Sequence, residues 1–273
     1  MDNGIHFISG LPRSGSTLLA ALLRQNPRFS ANMTSPVGSL FMAMLRETSQ
    51  RNEAAVFFSD AQRARLLRSC FDAYYADVHP SQTVFDTNRL WTSKLPTLVE
   101  LFPDARVICC VRNPSWILDS FERLVRRNPL QASGIFNFEP HGTVYSRVEA
   151  LSLGTGIAGF AWNALREAVF GEQRDRLLLV RYESLVARPL EVLACIYDAL
   201  GVPPFRHDPD AVEQDPLALA FDERLGTPGL HSLRRRVDAA DRETVLPPDL
   251  FAKFENDCYW DRSEFMSVNV RVI

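Results

Sequence analysis

The stretch IHFISGLPRSGSTLLAALL, Ile5 to Leu23, decides how the rest of the chain is read. A short apolar strand, Ile5–Ser9, runs into a loop from Gly10 to Thr17. The loop opens an apolar helix with Leu18, Leu19, Leu22 and Leu23 on one stripe. The spacing is that of a phosphate-binding loop, G-x-x-x-x-G-[K]-[ST], with Ser16 in the lysine position. Such a strand–loop–helix wraps backbone N–H groups around an anion at a helix N-terminus. The missing lysine is the group that reaches the β- and γ-phosphates of a nucleoside triphosphate. Arg13, inside the loop, supplies the cation instead, and Ser14, Ser16 and Thr17 add hydroxyls around Gly15. The loop is built for a phosphate-like group rather than for ATP with magnesium.

Three more segments read as buried parallel strands: Thr83–Phe85, Arg106–Val111 and Arg176–Arg181. Each is short and apolar and leads into a helix-like segment, which points to an α/β fold with a central parallel sheet between two helix layers. Ser59 with Gln62 forms a capping box for a helix to about Tyr75, with Leu66, Leu67, Cys70, Phe71 and Tyr74 on its apolar face. Asn113–Pro114 starts another, followed by Ile117, Leu118, Phe121, Leu124 and Val125 at helical spacing. Residues 128–157 read as an inserted loop, with a helix entered near Ala158–Phe170, and 202–249 as an irregular C-terminal region. One domain over residues 1–273 is expected.

Bulk properties narrow the partners. A net charge of −3 favours neither nucleic acid nor an anionic membrane. Hydrophobic residues make up 46% and charged ones 23%, as in a globular core. No apolar run approaches a membrane span and no signal peptide is evident. Five cysteines without a CxxC pair fit a reducing cytoplasm rather than disulfides or zinc, and no metal motif is present. The oligomeric state stays open.

The second chemical feature is VRNPSWILDS, Val111 to Ser120. Arg112 ends a strand, Asn113–Pro114 begins a helix, and helical side chains lean back toward the N-terminus, so Ser120 can point toward Arg112. Arginine, hydroxyl and helix N-terminus together suit a second phosphate. GLPRSGSTLL followed by CCVRNPSWILDS resembles the two signatures of sulfotransferases that use 3′-phosphoadenosine 5′-phosphosulfate. LFPDARVICCVRN (101–113) particularly resembles tyrosylprotein sulfotransferases and their bacterial relatives, and LLLVRYESLVARP (177–189) resembles the strand and helix that follow there. The resemblance covers most of residues 5–200.

The resemblance implies a three-layer α/β fold and sulfonyl transfer without a metal, leaving 3′,5′-adenosine bisphosphate. It implies a hydroxyl acceptor on a small molecule or peptide, with phenols and peptide tyrosine among the candidates. Arg13, Ser14, Gly15, Ser16 and Thr17 would hold the 5′-phosphosulfate, Arg112 and Ser120 the 3′-phosphate, and Tyr182 would lie near the nucleotide. A C-terminal basic loop, TPGLHSLRRRV, would close over it with Arg234, Arg235 and Arg236. The pattern breaks at the base: Ser30–Phe41 has no carboxylate, and Thr34 stands where a glutamate is expected. FDTNRLW (85–91) offers Asp86 as proton acceptor and Arg89 to stabilise charge, although Asp86 also suits a turn or cap. Glu47, Lys94, Glu139, His141 and His231 stay open as alternatives. Met33–Leu45 and Ile135–Tyr145 would form the acceptor pocket. The competing functions are a phosphate-loop kinase, disfavoured by Ser16, and a nucleotide-binding module without catalysis.

Overall fold

The computed structural model describes residues 4–49, 52–238, 243–262, 265 and 270–273. Six strands form one sheet: β1 (Ile5–Gly10), β2 (Phe29–Ala31), β3 (Thr83–Thr87), β4 (Val107–Val111), β5 (Leu177–Arg181) and β6 (Arg271–Val272). Their order is β2-β3-β1-β4-β5-β6, and every pairing is parallel. The four strands expected from sequence are present. The two edge strands were not expected, being only three and two residues long.

Both faces of the sheet are covered, which is why its strands are apolar almost throughout. Phe7, Val84, Cys109 and Leu179 turn to one face, under the helices Asp60–Tyr74, Pro114–Arg127 and Ile157–Phe170. Ile8, Phe85, Cys110, Leu178 and Val180 turn to the other, under Ser16–Leu23 and Pro189–Leu200. The three-layer α/β architecture follows from this alternation. The chain leaves β1 toward β3 on one side and returns to β4 on the other. The loop after β1 therefore sits at the point where strand order reverses, where open α/β sheets bind ligands.

Local signals hold with shifts. Ser59 and Gln62 form the capping box of the helix Asp60–Tyr74, but Tyr74 is exposed and Tyr75 is the buried tyrosine. The Asn113 side chain accepts from the Ser115 N–H at the start of Pro114–Arg127. The 128–157 insertion contains a helix, Val144–Ser152, capped by Thr143 and Ser146. Arg147 of that helix grips the buried Glu122 at 2.9 and 2.8 Å, which docks the insertion on Pro114–Arg127. The 202–249 region is mostly irregular, broken by the helix Ala218–Arg224, and its residues 239–242 lie outside the described residues. No helix among the described residues is long and apolar enough to cross a membrane.

Candidate active site

The loop after β1 is shaped by two glycines. Gly10 has φ +97°, and a Cβ there would stand 2.3 Å from the Cys110 carbonyl oxygen, so only glycine lets β1 pass this close to β4. Gly15 has φ +94° at the N-cap of Ser16–Leu23, where a Cβ would press to 3.1 Å from the Tyr182 ring. No side chain caps that helix, so its first N–H groups are left for another acceptor. Arg13 is itself left-handed, with φ 57°, a conformation that costs a non-glycine residue about 1–3 kcal/mol. Its Nε donates to Ser120 Oγ at 3.0 Å and its Nη1 to the Leu230 carbonyl. The strained backbone thus carries a guanidinium clamped between the helix Pro114–Arg127 and the C-terminal region.

Arg112 lies beside this group. Its guanidinium stacks on the Tyr182 ring at 4.0 Å and donates to the Arg13 carbonyl at 3.2 Å. On the other side, Ser9 Oγ donates to the Arg89 carbonyl at 3.2 Å and accepts from Thr92 Oγ1 at 2.6 Å, which fixes the turn after β3 to the end of β1. Arg89 is exposed and lines the cleft; the surrounding protein lowers its pKa from the ordinary guanidinium value by desolvation.

These elements enclose a cleft of about 650 Å³ whose wall includes Arg13, Gly15, Ser16, Thr17, Arg89, Arg112 and Tyr182. Arg234 and Arg236 complete the basic side, against Glu183 and Asp238. The volume is that of a small-molecule site, and the excess of guanidinium over carboxylate suits a polyanion.

Several expected residues stand elsewhere. Ser14 is fully buried and its hydroxyl donates to the Pro12 carbonyl at 3.3 Å. Ser120 Oγ accepts from Arg13 Nε. Arg235 lies off the cleft, its carbonyl accepting from Val212 N at 2.7 Å, and Arg236 takes the wall position. Asp86 is the largest departure. It is neither a turn residue nor part of the cleft wall, because β3 runs two residues past the predicted end and turns its side chain into the core. There it accepts from Ser35 Oγ and Tyr75 Oη at 2.6 Å each and from Trp91 Nε1 at 2.7 Å. Burial pushes its pKa up while the three donors pull it down, and burial wins.

Thr34, where the resemblance expects a glutamate, does not line the cleft; among the alternatives Glu47, Lys94, Glu139 and His141 do not either, whereas His231 does. Phe136 of the expected acceptor pocket is buried, and Phe138 and Tyr145 are exposed outside the cleft wall. The sequence reading missed Trp116 and Asp222. Trp116 lines the wall, and Asp222 is buried behind it, bonded to His231. Among the described residues no group of His, Cys, Asp and Glu could hold a metal ion.

Comparison with known proteins points to one family. The model of the Sulfotransferase family matches residues 6–207. Nodulation protein NoeE of Sinorhizobium fredii is 28% identical over 73% of this chain and 50% of its own length. Protein-tyrosine sulfotransferase 1 of Danio rerio is 23% identical over 74% of this chain and 54% of its own length. The chain therefore spans about half the length of these curated relatives. The sulfotransferase domain from the curacin biosynthetic pathway shares the fold, with TM-score 0.51 at 19% identity, covering 97% of this chain and 96% of that one.

Proposed function

The chain belongs to the sulfotransferase family, and from that premise we propose that it moves a sulfonyl group from 3′-phosphoadenosine 5′-phosphosulfate to a hydroxyl acceptor. One observation carries the reading. The lysine-free phosphate loop, with Arg13 fixed between Ser120 and Leu230, opens into the same cleft as Arg112, Arg234 and Arg236. Two separated anionic groups can be held there, the phosphosulfate at the loop and the 3′-phosphate near Arg112.

When bound, the donor supplies the transferable sulfonyl group and a phosphate leaving group. The protein positions and neutralises. The N–H groups opening Ser16–Leu23, the hydroxyls of Ser16 and Thr17, and the Arg13 guanidinium would offset the charge of the leaving phosphate of a donor bound at the loop. Each good donor of this kind contributes about 3 kcal/mol. Arg89 adds a second guanidinium in the wall. Tyr182, already stacked on Arg112, offers a ring to the nucleotide base.

Calorimetric titration with 3′,5′-adenosine bisphosphate in the presence of a chelator tests the reading, with ATP–magnesium as the comparison. Tight metal-free binding of the bisphosphate and weak binding of ATP are expected. Preference for ATP–magnesium would overturn the reading in favour of a kinase.

A further inference from the structure

The irregular C-terminal region carries a built proton-acceptor arrangement beyond the family-matched residues 6–207. His231 lines the cleft next in sequence to Leu230, whose carbonyl holds Arg13. Its Nδ1 lies 2.6 Å from Asp222 Oδ1, and its backbone N–H donates to Asp222 Oδ2 at 2.8 Å. Asp222 is buried, and each of its carboxylate oxygens bonds His231. The Phe221 ring meets the imidazole edge-on at 5.4 Å, and Gln214 Nε2 donates to the His231 carbonyl at 2.9 Å. The ring is held by Asp222 and Phe221, and its backbone by Asp222 and Gln214. A carboxylate on Nδ1 selects the tautomer protonated there and leaves Nε2 as an acceptor.

We infer that His231 is the catalytic base of the transfer and Asp222 its positioning residue. The inference rests on the sulfotransferase reading of the same cleft and adds the missing proton acceptor to it. Nε2 takes the proton of the acceptor hydroxyl as that oxygen bonds to sulfur. The bond from sulfur to the bridging oxygen breaks, and its electron pair leaves with the adenosine bisphosphate. An imidazolium formed beside Arg13 and the other cleft arginines would be repelled. The Asp222 carboxylate offsets that charge, the role a buried aspartate plays behind a catalytic histidine.

The experiment compares wild type, His231→Gln and Asp222→Asn with a panel of hydroxyl acceptors, from aliphatic alcohols to nitrophenols. Bisphosphate affinity is measured in parallel. With an alcohol, His231→Gln should lower kcat by about 100-fold or more, the usual size of a general-base contribution. The loss should shrink steadily as the acceptor becomes more acidic. Asp222→Asn should lower kcat less, with KM little changed, and Asp222→Glu should recover part of it. Bisphosphate affinity should stay near wild type in His231→Gln, which separates this inference from the donor-site reading. Histidine nitrogen NMR should show His231 protonated on Nδ1 in wild type, a readout that needs no turnover. Equal losses across the panel, or a His231 protonated on Nε2 in the free enzyme, would overturn the assignment. Failure of wild type to bind the bisphosphate would overturn the functional reading and this inference with it.

Discussion

Two buried aspartates, Asp86 and Asp222, serve two different regions. Asp86 lies in β3, turned into the core, and is enclosed by donors that all belong to the scaffold: Ser35, Tyr75 and Trp91. Asp222 sits in a short helix of the irregular region and spends its oxygens on one histidine that reaches the cleft. Burial and a rich hydrogen-bond set do not separate structure from chemistry. The partner's exposure to the ligand space does. The first aspartate fastens β3 to the helices above the sheet, and the second orients a group that can move a proton.

The widest split is expected between Arg13→Ala and Asp86→Ala. Arg13→Ala should lower the transfer rate about 100- to 1,000-fold and weaken bisphosphate binding, as loss of one preorganised charge-stabilising donor does. Its melting temperature should fall far less than that of Asp86→Ala, because the Leu230 carbonyl it releases lines the cleft, where water can bond it. Normal activity in that variant would remove the loop from the chemistry. Asp86→Ala should do the reverse. It strands three buried donors at about 1–3 kcal/mol each, so denaturant melts should show a loss of several kcal/mol. The rate per folded molecule should change little. A stable Asp86→Ala protein with a collapsed rate would return Asp86 to the active site and erase the contrast.

Gly15→Ala comes next, because it touches both regions at once. The left-handed backbone and the 3.1 Å approach to Tyr182 predict a destabilisation of about 1–2 kcal/mol. Bisphosphate affinity should fall with it, since the same residue shapes the anion loop. An unchanged affinity at reduced stability would place the ligand away from this turn.

The smallest effect is in pH. Burial raises the Glu122 pKa, but the hydrogen bonds and charges of Arg147 and Arg126 outweigh it and leave it lowered. A lowered carboxyl pKa contributes stability above its unfolded value, and that contribution is lost as pH falls through the folded value. Asp86 is shifted the other way, so its contribution is present at low pH and lost as pH rises through its folded value. Thermal melts should show wild type losing stability below about pH 4.5 more steeply than Glu122→Gln. Equal slopes would mean that the ion pairs docking the insertion carry no net weight.

How much of this was legible in sequence depended on whether neighbours in space were neighbours in the chain. The phosphate loop was legible because strand, glycines and helix are contiguous from Ile5 to Leu23. The central strands were legible as apolar runs. β2 and β6 were not, since two or three residues at a sheet edge carry no periodicity. Asp86 was misread because the apolar run stops at Phe85 while β3 continues to Thr87. The helix Val144–Ser152 was hidden in a polar stretch, its capping box closed by Ser146 instead of the usual Glu or Gln. Asp222 and His231 lie nine positions apart with a turn between them, and no local pattern joins them. Of the three consecutive arginines read from sequence, Arg234 and Arg236 line the cleft and Arg235 does not, a distinction that a run of like residues does not carry.

The most direct test of the account is turnover. The purified protein is mixed with 3′-phosphoadenosine 5′-phosphosulfate, a chelator and a panel of hydroxyl acceptors, and products are followed by mass spectrometry. The account predicts an acceptor carrying an added sulfonyl group, with equimolar 3′,5′-adenosine bisphosphate released in the absence of metal. A phosphorylated acceptor formed only from ATP with magnesium would contradict it.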